Sequence, residues 1–225
     1  MSHLPPTRAA ERARFGTIAG ELSGGLLGKV FGLLAFSLAF ACAGGAVGYR
    51  MPPGLILPLF IVELGLIFAV QALREREGVN IALLYAFSFV SGLTVGPVIH
   101  AYVGAGAGTV VIQAAAITGT MTVGLSAYAL TTKRNLMALQ PFLFVALLGL
   151  IVASLVNLFI GGTVLYTLVS WAGAVLFSVL LVFDVNRTRY AADTMGNAVV
   201  ITLGIYLDIV NLFLFILRIL QGGRR

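Results

Sequence analysis

Seven times along the chain, about twenty residues pass with almost no charge. A helix rises about 1.5 Å per residue, so a run of that length crosses a hydrocarbon core about 30 Å thick. Inside lipid, each backbone N–H and C=O must be bonded within the protein, and a helix bonds them all within its own segment. The chain therefore reads as an all-α integral membrane protein of seven transmembrane helices. Its composition fits: of 225 residues, 60% are hydrophobic and 10% charged, against about 25% charged in soluble domains.

The spans are expected at about 29–49, 54–73, 79–102, 108–131, 141–161, 164–184 and 198–217. Residues 1–27 form a largely polar N-terminal tail, 28–220 the membrane domain and 221–225 a short basic tail. Part of the first tail, around Arg8, Arg12 and Arg14, is a weak candidate for an amphipathic helix lying on the membrane. Met1 to Gly28 lacks a short apolar core followed by small residues, so no cleavable signal is expected. Gly44, Gly45 and Gly48 give the first span a small-residue stripe suited to close helix contact. Gly96-Pro97 is expected to break the hydrogen-bond ladder of the third.

Charge sets orientation rather than a nucleic-acid surface, because the basic residues sit at loop ends. With seven spans, ten lysines and arginines fall on the N-terminal side and Arg50, Arg218, Arg224 and Arg225 on the other. The N-terminus is thus expected in the cytoplasm and the C-terminus opposite. A re-entrant last segment would change the tally to thirteen against one, so that alternative stays open at this level. Cys42 is the sole cysteine, which excludes an intrachain disulfide and a thiolate metal site. No nucleophile–base pair or metal-ligand cluster stands out, so neither an enzyme nor a cofactor is expected.

The last apolar run, Ala198 to Leu217, contains one carboxylate, Asp208, ten residues from Ala198 and ten from Arg218. That is about 15 Å from either end, near the midplane, where a charge costs about 2.5–3.5 kcal/mol. Such an acid marks a functional site and needs a partner. Asp184, at the end of the sixth span, is the first candidate, because consecutive helices usually neighbour each other. Two close carboxylates titrate as a unit and can sense pH. The plain alternative pairs Asp184 with Arg187, one turn on. Arg74, closing the second span, is either a cation that reaches an acid or a positive-inside anchor. Glu63 lies eleven residues before it, about 20° round and about 16 Å away on a continuous helix, so one face would carry both. Asn211 follows Asp208 by three residues and shares its face.

Four stretches resemble the Bax-inhibitor transmembrane (TMBIM) family in its bacterial branch. They are Lys29-Val30-Phe31-Gly32-Leu33-Leu34, Phe89-Val90-Ser91-Gly92-Leu93-Thr94 with Pro97, Gly124 through Arg134, and Phe177-Ser178 through Phe183-Asp184 paired with Tyr206 through Phe213. The resemblance covers about 28–218. It implies a last helix at the centre of the other six and a pH-sensitive calcium leak. Asp184 and Asp208 match the family's two-aspartate sensor, Arg74 its latch to the second aspartate, and Glu63 the acid of its second span. Calcium would be held only transiently near Asp184 and Asp208, since stable sites use six to eight oxygens. The connector Asp184-Val185-Asn186-Arg187 departs from the Thr-Gln pair that many relatives carry after the aspartate. Some bacterial relatives instead restrain a membrane-embedded AAA-type protease, and a proton-coupled cation transporter is the third reading. The resemblance and the apolar runs place the protein in a bacterial inner membrane.

Overall fold

The computed structural model describes residues 25–222. The N-terminal tail and the arginines at 224 and 225, with the expectations placed on them, lie outside these residues. Within them run seven helices: α1 (Leu26–Gly48), α2 (Ile56–Ala72), α3 (Glu77–Gly104), α4 (Gly108–Thr131), α5 (Gln140–Ile160), α6 (Thr163–Arg187) and α7 (Met195–Gly222). All seven are long and apolar enough to cross a membrane, α2 and α5 once the single 3-10 turns before them, Pro53–Leu55 and Met137–Leu139, are included. Proline stands in the first turn of the second and fifth spans, where its missing N–H has no helical partner to lose.

α7 is the axis of the bundle, as the family resemblance implies. Its buried residues, among them Val199, Ile201, Leu203, Ile205, Tyr206 and Leu212, fall on opposite sides of the helix, the pattern of a helix with neighbours on more than one face. The six neighbours are not equivalent. α1, α3, α4 and α6 pack along α7, α2 lies outside against α3, and α5 packs on α6. α7 has 28 residues and so runs about 42 Å without a break. The last segment is therefore one continuous helix, long enough to cross and without the break that a re-entrant segment needs.

α1 and α3 make the closest backbone approach, and glycine permits it. A Cβ on Gly44 or Gly48 would meet the carbonyls of Phe89 and Leu93, and one on Gly92 or Gly96 those of Ala41 and Gly45. In the native chain a Cα hydrogen points at each carbonyl instead, the weak C–H···O contact of close helix pairs. Pro97 has no N–H, so the Leu93 carbonyl lacks its helical donor. That carbonyl is the one lying against Gly48. The expected ladder break at Gly96-Pro97 thus amounts to one missing bond, and α3 continues to Gly104.

Gly92→Ala should destabilise the bundle by about 1–3 kcal/mol, because overpacked backbone cannot yield as a side chain can. Its Cβ would lie 2.8 Å from the Gly45 nitrogen and 2.9 Å from the Ala41 carbonyl carbon. Gly65→Ala, with nothing within 4 Å, is the control. Equal melting temperatures for the two variants in detergent would show that the α1–α3 contact contributes little.

Candidate functional site

The site is built where α6 ends and α7 passes its midpoint. α6 continues through Arg187, so Asp184 lies almost one turn inside the helix rather than at its end. Its carboxylate lies against the backbone of Gly204, filling the place a Cβ there would take. Gly204 stands one turn before Asp208 on α7, on the same face. The two acids are thereby brought together, each within electrostatic reach of the other.

Asp208 is 4% exposed, and its Oδ2 is buried without a hydrogen-bond partner among the described residues. Arg187 is the cation whose charge acts on Asp184. Two buried carboxylates side by side cannot both hold a charge cheaply, so a pair meeting here would titrate as one unit. No group of three His, Cys, Asp or Glu side chains gathers to hold a metal ion among the described residues.

The remaining expected residues divide. Asn211 follows Asp208 one turn further along α7, donates from Nδ2 to the Leu207 carbonyl at 2.8 Å, and lines a cleft between α5, α6 and α7. Glu63 is half-buried and accepts a hydrogen bond from Thr94 Oγ1 at 2.7 Å. It acts on Tyr206, which lies about 160° round α7 from Asp208. Glu63 therefore belongs to a different side of the bundle from the acid pair.

Arg74 does not meet Asp208 in this structure. Its side chain is 58% exposed and pairs with Glu75 at 3.2 Å. Its backbone lies on Gly196, twelve residues from Asp208, or about 18 Å along α7. The expectation that Arg74 continues the Glu63 face fails for a local reason. α2 ends at Ala72, and Leu73 leaves helical geometry at φ −102° and ψ 20°, so the periodicity stops before reaching Arg74.

Three residues that position the site escaped the sequence reading. Gly204 makes room for Asp184. A glycine one turn from an intramembrane acid was the available signal. Asn186 is fully buried. Its Nδ2 donates to the Ala129 and Arg134 carbonyls at 3.2 and 3.3 Å, and its Oδ1 accepts from the Leu136 N–H at 3.2 Å. Arg189 donates from Nη1 to the Leu130 and Thr132 carbonyls, the latter at 2.6 Å, closing the end of α4. The connector that departs from the family pattern is thus a clamp holding α6, and Asp184 with it, to the α4–α5 turn. Nothing in spacing alone marks these as caps, since they join segments fifty or more residues apart.

Gly204→Ala should preserve the fold, because the atom its Cβ meets is the free end of a side chain, and should separate the two acids. Carbodiimide labelling of Asp208, followed against pH by peptide mass spectrometry, should change and match the profile of Asp184→Asn. An unchanged profile would show that the pair does not depend on the gap at Gly204.

The family described as inhibitor of apoptosis-promoting Bax1 (Bax1-I) matches residues 24–225. An uncharacterized protein of Campylobacter jejuni is 36% identical over 168 residues, 73% of this chain and 71% of that protein. An uncharacterized membrane protein of Vibrio cholerae is 33% identical over 181 residues, 80% and 79% of the two chains. The inner membrane protein YbhL of Escherichia coli K12 is 31% identical over 181 residues, 76% and 75%.

Proposed function

This chain belongs to the Bax1-I family of membrane proteins, and we propose that within it the chain is a proton-regulated leak for calcium in a bacterial inner membrane. The observation carrying this reading is the acid pair: Asp184 against Gly204, one turn from a buried Asp208 that lacks a hydrogen bond on one oxygen. Hydrophobic residues at both positions would avoid the cost of intramembrane acids. Retaining two of them one helical turn apart on the same face of the α6–α7 contact supports a role in moving or sensing charge. Two carboxylates supply too few oxygens to trap calcium, and permeation needs binding weak enough to release the ion. The positive-inside tally supports a cytoplasmic N-terminus, which puts Asp184 in the cytoplasmic half of the path.

The pH response follows from the pair. An ionised Asp208 near the midplane draws a cation to itself, and a protonated one does not. Arg74 on the cytoplasmic rim is the candidate latch. In the arrangement described it is unlatched and held by Glu75, and closing the path requires α2 to shift inward along α7. Protonating Asp208 removes the attraction, so acid favours the open path.

In liposomes holding the purified protein, calcium flux should rise as pH falls, and either Asp208→Asn or Asp184→Asn should flatten that dependence. A wild-type profile in either variant would remove the pair from the mechanism. No flux from the wild-type protein at any pH would favour the non-conducting reading, a regulator of a membrane protease.

Arg74→Ala should raise flux at neutral pH, and Arg76→Ala, two residues on in the same connection, should not. Equal flux from both variants would leave Arg74 as an orientation anchor only.

A further inference from the structure

At the end of α7 away from the acid pair, α5 and α7 stand apart and leave a cleft of about 520 Å³, within the usual range of about 300–1,000 Å³ for ligand sites. Its polar lining includes Asn157, Tyr166 and Arg218. Tyr166 is three residues into α6, and Arg218 is four residues from the end of α7. Both therefore lie about 5–6 Å inside the helix ends, near headgroup depth.

Arg218 is the anomaly. A guanidinium carries five N–H donors and a permanent charge. Here its recorded protein contact is the face of Phe215, 5.3 Å from the ring centre. The ion pairs among the described residues are Lys29–Asp193 and Arg74–Glu75, so Arg218 has no carboxylate partner. Asn157 has a buried Oδ1 with no hydrogen bond. Amide nitrogen and oxygen exchange places on a flip, so the side chain can present N–H donors there. The Tyr166 hydroxyl has no recorded hydrogen bond among the described residues. A charged donor and a hydroxyl thus line one cleft without a recorded acceptor, and a flipped Asn157 amide would add a third, which is the chemistry of an anion site.

Towards the midplane the walls are mainly apolar, Leu147, Leu150 and Phe177, with the side chains of Ser154 and Asn211 among them, each already bonded to a carbonyl of its own helix. A methylene chain needs no hydrogen-bond partner along such walls. A cleft with anion-binding donors at headgroup depth and an apolar continuation towards the midplane fits an amphiphile better than a free ion.

We propose that this cleft holds one anionic phospholipid, its phosphate on Arg218, Tyr166 and Asn157 and one acyl chain along α5. The site is independent of the leak and would stand if the protein conducted nothing.

Native mass spectrometry of the protein, released from micelles containing phosphatidylglycerol or phosphatidylcholine, tests it. The wild type should retain one phosphatidylglycerol under conditions that remove phosphatidylcholine. Arg218→Gln should weaken that retention about tenfold, the size of a lost charge-assisted hydrogen bond. Tyr166→Phe, which keeps the arginine and removes one donor, should weaken it less but measurably. Lys133→Gln, at the opposite membrane face, should leave it unchanged. Equal loss in Arg218→Gln and Lys133→Gln, or no loss in Arg218→Gln and Tyr166→Phe, would overturn the site. Displacement of the lipid by millimolar inorganic phosphate would overturn the lipid assignment in favour of a free-anion site.

Discussion

The Asp184 carboxylate rests on a stretch of α7 that has no side chain, and the rest of the site depends on that contact. Two acids can meet inside a membrane protein only if their helices approach closely at that level and nothing stands between them. Gly204 supplies the opening. Gly173 allows the same helices to pack again, further along, against the ring of Phe215, where any Cβ would clash at about 2.5 Å. Asn186 then fixes the end of α6 to the α4–α5 turn with three hydrogen bonds. A buried asparagine bonded at both ends is costly to replace, because each truncated partner would be left unpaired.

Outside that axis the bundle is held together by close approach rather than by charge. Lipid tails are as apolar as leucine, so burying apolar surface between helices gains little. The glycines of α1 and α3 compensate by bringing backbone against backbone, and the carbonyl freed by Pro97 finds a Cα hydrogen there. α2 and α5, which lack such contacts with α7, are the outermost spans. The second span meets α7 at the turn beyond its end, where the Arg74 backbone lies on Gly196.

Much of this was legible in the chain. The seven spans were readable because the bilayer imposes a length, and the structure moves their ends by only a few residues. Asp208 stood out because an acid at the midplane is expensive, and helix order made Asp184 the first candidate beside it. What the sequence hid were features that depend on where a helix stops. Glu63 and Arg74 share a face only while α2 continues, and α2 ends at Ala72. Asp184 looked terminal, yet α6 runs on to Arg187. The cleft beneath α5 was also hidden, since it arises from two helices failing to touch.

The chain contains three aspartates, Asp184, Asp193 and Asp208, so labelling aspartate carboxyls with carbon-13 isolates the pair with a built-in reference. Asp193 pairs with Lys29 at 2.8 Å and remains half exposed. Nuclear magnetic resonance of the labelled protein across pH follows all three carboxyls directly. If Asp184 and Asp208 share protons, both signals should show the same two steps, and Asp184→Asn should convert the Asp208 curve to a single displaced step while Asp193 stays unchanged. Independent single-step curves for the two acids, with Asp208 unmoved by Asp184→Asn, would contradict a shared sensor.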